Sequence, residues 1–219
     1  MMKRKVFGLF LAASLAVSGI SFAAEKWEMP RIGQMNVPQN MWIAPGEQLS
    51  IGYGETKSPD LYLARKGIPD ANFYTITWET DSDFSYGRAI SAVLGAQYLQ
   101  RAGVSGYRDL SLEGQLDLIA ETLNSEIIRD GAVFDGDAPL RKISDKKHLR
   151  YEGSFTLTRT EEGLVYRTAY YVTVQKDDIR ISVGIFASDA DNPEFTKALA
   201  DMMKKRKFPS GMMFLKKAE

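Results

Sequence analysis

A single histidine limits the acid–base chemistry of this 219-residue chain. His148 lies in the segment Lys146-Lys147-His148-Leu149-Arg150, and any serine catalysis would have to use it as the base. Gly103-Val104-Ser105-Gly106 begins like the nucleophile elbow of hydrolases, but Tyr107 stands where that motif needs glycine. We therefore interpret His148 as a surface residue and the glycine-rich segment as a turn.

Metal and thiol chemistry is restricted further, because the chain has no cysteine. It cannot by itself build a Cys/His zinc site, an iron–sulfur cluster or a thiol nucleophile. Oxygen ligands remain, and three acidic clusters could offer them to calcium: Asp81/Asp83, Asp130/Asp135/Asp137 and Asp189/Asp191. None has the full EF-hand spacing, and Asp is also common in turns and helix caps. We predict turn and cap roles, no metal and no cofactor, with a calcium site at Asp130 to Asp137 as the alternative.

Aromatic and carboxylate side chains leave two further possibilities. Four tyrosines, Tyr151, Tyr166, Tyr170 and Tyr171, could form a surface for carbohydrate or peptide, although those on an apolar strand face are predicted to be core. A carboxylate pair for glycoside hydrolysis is defined by its separation in space, so the sequence selects none. No catalytic residue is predicted. The question of an enzyme stays open, with a non-catalytic role favoured.

The N-terminal part of the chain is predicted to be extended. Residues 25–70 hold five of the eight prolines, which break helices, and Gln48 to Tyr53 is predicted to be a short strand. Gly52-Tyr53-Gly54 could begin a dinucleotide-binding fingerprint, but Lys57 stands where the third glycine belongs, so a turn is predicted there.

A helical hairpin is predicted after the strand Phe73 to Trp78. Tyr86, Ile90, Val93, Leu94 and Tyr98 recur at three- and four-residue spacing, which predicts a helix from Tyr86 to about Ala102. A second apolar stripe begins after Ser111, a suitable N-cap, and runs to Asp130-Gly131.

From Tyr151 onwards apolar residues recur at every second position, which predicts an antiparallel meander. Its strands run over Tyr151 to Thr158, Tyr166 to Val174 and Ile179 to Ile185, with turns at Glu161-Glu162-Gly163 and Lys176-Asp177-Asp178. Asn192 as N-cap and Pro193 at the first position then begin a closing helix.

This order of elements predicts an α+β fold in which helices pack on a mostly antiparallel sheet, formed by a three- to four-stranded meander and an N-terminal strand. A helix that leads into a long meander and a closing amphipathic helix, over residues 110–208, resembles the PsbP-like α/β sandwich of photosystem extrinsic subunits and small exported bacterial proteins. The resemblance implies a non-enzymatic accessory or binding role, and no site residue is carried over with it.

The first 23 residues are typical of a cleavable secretory signal peptide. Lys3, Arg4 and Lys5 precede an uncharged apolar run from Val6 to Ile20, which is shorter than the ~20 residues that span a bilayer. Small side chains at Ser21 and Ala23 predict cleavage before Ala24, or else before Glu25. Export to a periplasm or to the medium follows from this prediction. The alternative is an uncleaved anchor or a buried N-terminal helix.

Cleavage would remove three of the 28 basic residues and no acidic one, leaving 25 Lys and Arg against 28 Asp and Glu. A slightly acidic chain does not favour nucleic acid, whose phosphates bind clustered basic residues. The C-terminal end combines Lys204 to Lys207 with Met212 to Lys217, a mixture that could contact an anionic membrane surface or else pack as a tail.

Three segments are predicted along the chain: a signal peptide over 1–23, a Pro/Gly-rich extension over 24–70 and an α+β domain over 71–219. The sequence thus predicts an exported, non-catalytic accessory or binding domain of the cell envelope, whose partner is an unknown protein or small molecule. The alternatives are a carboxylate-based hydrolase and a peripheral membrane protein held by the basic tail.

Overall fold

The computed structural model describes residues 25–46, 71–94, 96–101, 105–145 and 148–209. The predicted signal peptide, the strand predicted at Gln48 to Tyr53, the turn at Gly52-Tyr53-Gly54 and the tail beyond Pro209 lie outside these residues. Among the described helices, none is both long and apolar enough to cross a membrane.

Ten strands and three α-helices follow one another along the described chain. The strands are β1 (Glu25–Met29), β2 (Gly33–Val37), β3 (Met41–Gly46), β4 (Asn72–Glu79), β5 (Phe84–Leu94), β6 (Val133–Phe134), β7 (Arg141–Ser144), β8 (Leu149–Glu161), β9 (Leu164–Lys176) and β10 (Ile181–Asp189). The helices are α1 (Ala96–Arg101), α2 (Leu112–Arg129) and α3 (Pro193–Lys204), and a short 3-10 turn spans Tyr107–Asp109.

Eight of the strands form one antiparallel sheet in the order β3-β4-β5-β10-β9-β8-β6, with β7 paired to β8. The predicted fold class is therefore wrong. Strands make up 50% of the described residues, and the sheet has eight strands where a three- to four-stranded meander with one N-terminal strand was predicted. The meander itself is present as β8, β9 and β10, but it is the middle of a wider sheet.

The predicted helix from Tyr86 is also wrong, because residues Phe84–Leu94 form the long strand β5 between β4 and β10. Tyr86, Ile90 and Leu94 are four residues apart, a spacing that fits both one helix face and one strand face. The sheet partners on both sides determine the outcome. Only the six residues of α1 remain of the predicted helix.

The caps, helices and turns predicted after Gly106 are confirmed. Ser111 caps α2, since its hydroxyl accepts a hydrogen bond from the Gly114 N–H at 3.1 Å. Asn192 caps α3 in the same way through the Phe195 N–H at 3.0 Å, with Pro193 in the first turn. Glu162 and Gly163 both have positive φ, as a tight turn between β8 and β9 requires.

Two apolar cores lie on opposite faces of the sheet. One lies under α2 and includes Leu116, Ile119 and Leu123 of the helix with Val172 and Val183 of the sheet. The other lies under α3 and the β1–β2 hairpin. Its buried members include Met29, Ile32, Met35, Ile76, Trp78, Phe186, Phe195, Leu199 and Met203.

Residues 25–46 are part of this packing, because the β1–β2 hairpin belongs to the second core and β3 is an edge strand of the large sheet. The division of the chain at residue 70 stays a prediction, since residues 47–70 lie outside the described part.

Candidate functional site

Three large aromatic side chains lie exposed at one corner of the sheet. Trp42 on β3 and Phe84 on β5 are each 51% exposed, and Tyr86 on β5 is 65% exposed. Thr77 of β4 pairs with Trp42 on one side and Tyr86 on the other. Directly paired residues project from the same face of a sheet, so the three rings share one face. We call Trp42, Phe84 and Tyr86 the aromatic surface.

The aromatic surface continues the row of β5 residues that enters the α2 core. Ile90, Ala92 and Leu94 lie on the same face of the strand, two residues apart, and are buried in that core. Towards the start of β5 the same face is exposed at Phe84 and Tyr86. One strand face thus changes from core to open surface along its length.

The backbone of three hydrogen-bonded strands holds the rings in place. The rings of Phe84 and Tyr86 contact each other edge to face, with centroids 4.9 Å apart and an interplanar angle of 90°. Contiguous exposed apolar patches on a rigid scaffold mark interaction sites more often than scattered single side chains do. The feature is an exposed aromatic face on a rigid sheet rather than a cleft.

One acidic and one basic residue border the aromatic surface. Glu79 pairs with Phe84, and Arg88 pairs with Thr75, so an acid and a base stand at the two ends of the patch. This pattern of apolar centre and polar rim is that of a protein interface. In the described ranges, no group of three His, Asp or Glu side chains is arranged to hold a metal ion.

A second concentration of polar groups is buried between the sheet and α3. The Arg206 guanidinium donates to a Glu152 carboxylate oxygen at 2.6 Å, to the Gln175 side-chain oxygen at 2.9 Å and to the Thr173 hydroxyl at 3.2 Å. It also donates to the backbone oxygens of Ile32 at 3.2 Å and Met203 at 2.9 Å.

The Glu152 carboxylate accepts further bonds from the Arg150 side chain at 2.9 Å and the Tyr171 hydroxyl at 3.1 Å. Burial would raise the pKa of Glu152, but the charges of Arg206 and Arg150 outweigh it and lower that pKa below its ordinary value. Burial and the neighbouring Glu152 charge raise the pKa of Tyr171. Since these groups bond one another, we assign the network a structural role rather than a catalytic one.

His148 lies at the start of β8, where its ring stacks on that of Phe208 with centroids 3.9 Å apart. Its backbone N–H donates to the Asp145 carboxylate at 2.8 Å. Ser105 is described and exposed, while Gly103 and Val104 lie outside the described residues. The structure gives no contact between Ser105 and His148.

Several members of the acidic clusters take part in hydrogen bonds or ion pairs within the protein. Asp83 accepts a hydrogen bond from the Asn192 side-chain amide, and Asp191 pairs with Arg167 at 2.6 Å. The Asp189 carboxylate accepts from the Asp191 N–H at 2.9 Å. In the loop before β7, the Arg141 guanidinium donates to the backbone oxygen of Asp135.

The four tyrosines do not form one surface. Tyr170 and Tyr171 are buried on opposite faces of β9, and Tyr166 is exposed near the β8–β9 turn. The Tyr151 hydroxyl donates to Asp117 at 2.9 Å, and burial together with that bond raises the pKa of Tyr151 to about 12.

The sequence interpretation missed the aromatic surface because it assigned Tyr86 to a helix face and singled out neither Trp42 nor Phe84. A signal was present in Phe84–Leu94, where large side chains alternate with Ser85, Gly87 and Ala89. Alternation of this kind over a run of residues after a polar turn is typical of a strand with one small-residue face.

No family model matches the chain, and no curated protein is similar to it. Among solved structures, the chain is similar to the crystal structure of LpqN, which is involved in cell envelope biogenesis of Mycobacterium tuberculosis. The two are 11% identical, and the similarity covers 83% of this chain and 87% of LpqN with a TM-score of 0.46. Similarity of this size does not assign a function to this chain.

Proposed function

We propose that this chain is an exported, non-catalytic accessory protein of the cell envelope that binds a partner protein on its aromatic surface. The observation that carries the proposal is the row Trp42–Thr77–Tyr86 across three paired strands, with Phe84 against Tyr86. The predicted signal peptide supports export. The PsbP-like resemblance implies the same kind of accessory role.

A protein is the partner that the chemistry of the surface favours. Trp and Tyr supply large contact areas with few rotatable bonds, and with Arg they dominate the binding energy of protein interfaces. Trp42, Tyr86 and Arg88 provide this set within one sheet corner, and Glu79 adds a charge of opposite sign. Such an interface needs neither a cleft nor an activated nucleophile.

The test places a photoreactive benzophenone side chain at position 84 of the full chain in its natural host. Illumination should yield one discrete protein adduct, because a partner seated on the aromatic surface would cover that position. Combining this change with Trp42→Ala and Tyr86→Ala should reduce the adduct at least tenfold, since the two rings are expected to be binding hot spots that cost about 2 kcal/mol or more each.

Ile179 provides the matched control position. It is exposed and apolar, and it lies in the β9–β10 turn. This turn precedes the end of β10 that pairs with Leu94, whereas Arg88 beside the aromatic surface pairs with the other end of β10. The same adduct from positions 84 and 179, no protein adduct from position 84, or only an adduct of twice the chain mass would each contradict the proposed partner protein.

A further inference from the structure

A groove runs along the opposite face of the sheet, between α3 and strands β8 to β10. It has a volume of about 270 Å³. Its floor is made of residues paired across the three strands. One row is Ser154, Tyr171 and Phe186, and the next row is Thr156, Ala169 and Ser188. We call this feature the α3 groove.

The shape of the groove follows from the sizes of these side chains. Tyr171 and Phe186 are the large side chains of the first row, and both pack into the core under α3. The second row has only short side chains, so the floor drops there across three strands. Leu199 and Ala200 of α3 form an apolar wall beside it. Ala169 lies at the centre of the depression, between the hydroxyl side chains of Thr156 and Ser188, and strand pairing fixes its position.

Hydroxyl groups line part of the groove, and several of them are already bonded. The Ser188 and Thr196 hydroxyls lie 3.1 Å apart and bond each other, and the Tyr171 hydroxyl donates to Glu152. Lys197 is the one charged side chain that lines the groove, and it has no ion pair within 4.0 Å among the residues that the structure describes. The groove therefore offers an apolar trough with one cation at its rim.

We propose that the α3 groove binds a medium-chain carboxylate, with the alkyl chain over Ala169 and the carboxylate at Lys197. The volume of 270 Å³ lies just below the usual range for ligand pockets. An open trough of this size accommodates a short alkyl chain rather than a large ligand. Apolar burial supplies the affinity, and the single cation selects an anionic head group.

This site is independent of the aromatic surface. Arg88 beside the aromatic surface pairs with Ala187, whereas Phe186 and Ser188 of the same strand belong to the groove. Successive residues of a strand point to opposite faces, so the two features lie on opposite sides of the sheet. Either proposal can therefore fail without the other.

The experiment titrates the protein lacking residues 1–23 with sodium octanoate, with 1-octanol as the uncharged probe, and follows the backbone amide signals by NMR. Octanoate should shift the amide signals of Ala169 and Ser188 along a saturable curve with a Kd of about 1 mM or tighter. Absence of saturation, or saturation confined to other amides, would overturn the proposal.

Two substitutions separate the trough from the cation. Ala169→Leu fills the floor and should weaken binding of both probes more than tenfold. Lys197→Gln should weaken octanoate about fivefold, the effect of a partly exposed ion pair, and leave octanol unchanged. Lys205→Gln, at an exposed position just after α3, is the matched control and should change neither.

Ala200→Leu fills the same trough from the partly exposed wall formed by α3. It replaces Ala169→Leu if the NMR spectrum of Ala169→Leu shows that this variant is unfolded. Unchanged octanoate binding in a folded trough-filling variant would contradict the assigned site. Equal losses in Lys197→Gln and Lys205→Gln, or an equal loss for the two probes in Lys197→Gln, would contradict the assigned carboxylate contact.

Discussion

Arg206 joins four parts of the molecule through one side chain. Its guanidinium bonds Glu152 on β8, Gln175 on β9, the end of α3 at Met203 and the β1–β2 turn at Ile32. The planar guanidinium presents its donors in a fixed arrangement, which suits one cation surrounded by several acceptors. Its burial is tolerated because Glu152 supplies the opposite charge within 2.6 Å.

Replacing Glu152 with Gln should therefore destabilise the protein at pH 7 by about 3 kcal/mol, the lower end of the range for breaking a buried ion pair. The native state lowers the pKa of Glu152, so the folded protein binds fewer protons here than the unfolded chain. The stabilisation from this carboxylate is present above pH ~4.3 and is lost as the pH falls through the native pKa. The difference between wild type and Glu152→Gln in urea unfolding should shrink below that pH.

Asp191→Asn is the control for this pH dependence, because Asp191 also pairs with an arginine but is exposed. Asp191→Asn should change the free energy of unfolding by less than about 1 kcal/mol both at pH 7 and at pH 3. A difference for Glu152→Gln that stays constant from pH 7 to pH 3 would show that its charge does not stabilise the fold.

At the scale of elements, α3 packs unusually close to β5 at Gly87. A Cβ atom at this position would lie 2.7 Å from the Ala187 carbonyl oxygen and 2.7 Å from the Phe195 ring. The first neighbour is backbone, and the second ring stacks on Trp78 with centroids 5.5 Å apart. Neither has room to move without disturbing the second core.

Gly87→Ala should therefore lower the free energy of unfolding by about 1–3 kcal/mol, the usual cost of overpacking. Gly114→Ala in α2 is the matched control, because its added Cβ would meet no atom closer than 3.4 Å. That change should be neutral or stabilising by up to about 1 kcal/mol, as expected for alanine in a helix. Equal thermal unfolding shifts for the two variants would contradict the close contact of α3 with β5.

Prediction of the elements from the sequence succeeded where one period was long and unambiguous. The stripe from Leu112 to Ile127 and its Ser111 cap predicted α2 correctly, and strict alternation predicted β8 and β9. β5 could not be predicted in this way, because its four-residue spacings fit a helix as well. The alternation of large and small residues favours a strand, and the pairing with β4 and β10 decides between the two.

At the scale of the whole molecule, the predicted export has a direct test. Full-length protein produced in its natural host should lose its first residues, so that N-terminal sequencing of the exported protein begins at Ala24 or else at Glu25. Replacing Ala23 with Arg should retain the precursor, because signal peptidase needs a small side chain there. Exported protein that still begins at Met1 would contradict the cleavable signal peptide.

The alternation in Phe84–Leu94 was a local signal for β5, but the sequence does not show which side chains come together in the two candidate binding features. Trp42 and Tyr86 are 44 positions apart in the chain and meet only because β3 and β5 flank β4. Ala169 and Lys197 likewise share a groove only because α3 packs across β9. Their residue types carry no common motif.

The sequence by itself determined the local elements with clear periods, their caps and tight turns, and the absence of cysteine chemistry, since these depend on neighbouring residues or on composition. The tertiary structure alone decided the width of the sheet, the strand state of Phe84–Leu94 and the position of both binding features. The physical reason is that strand pairing joins residues far apart in the chain, and local sequence does not encode which strands will meet.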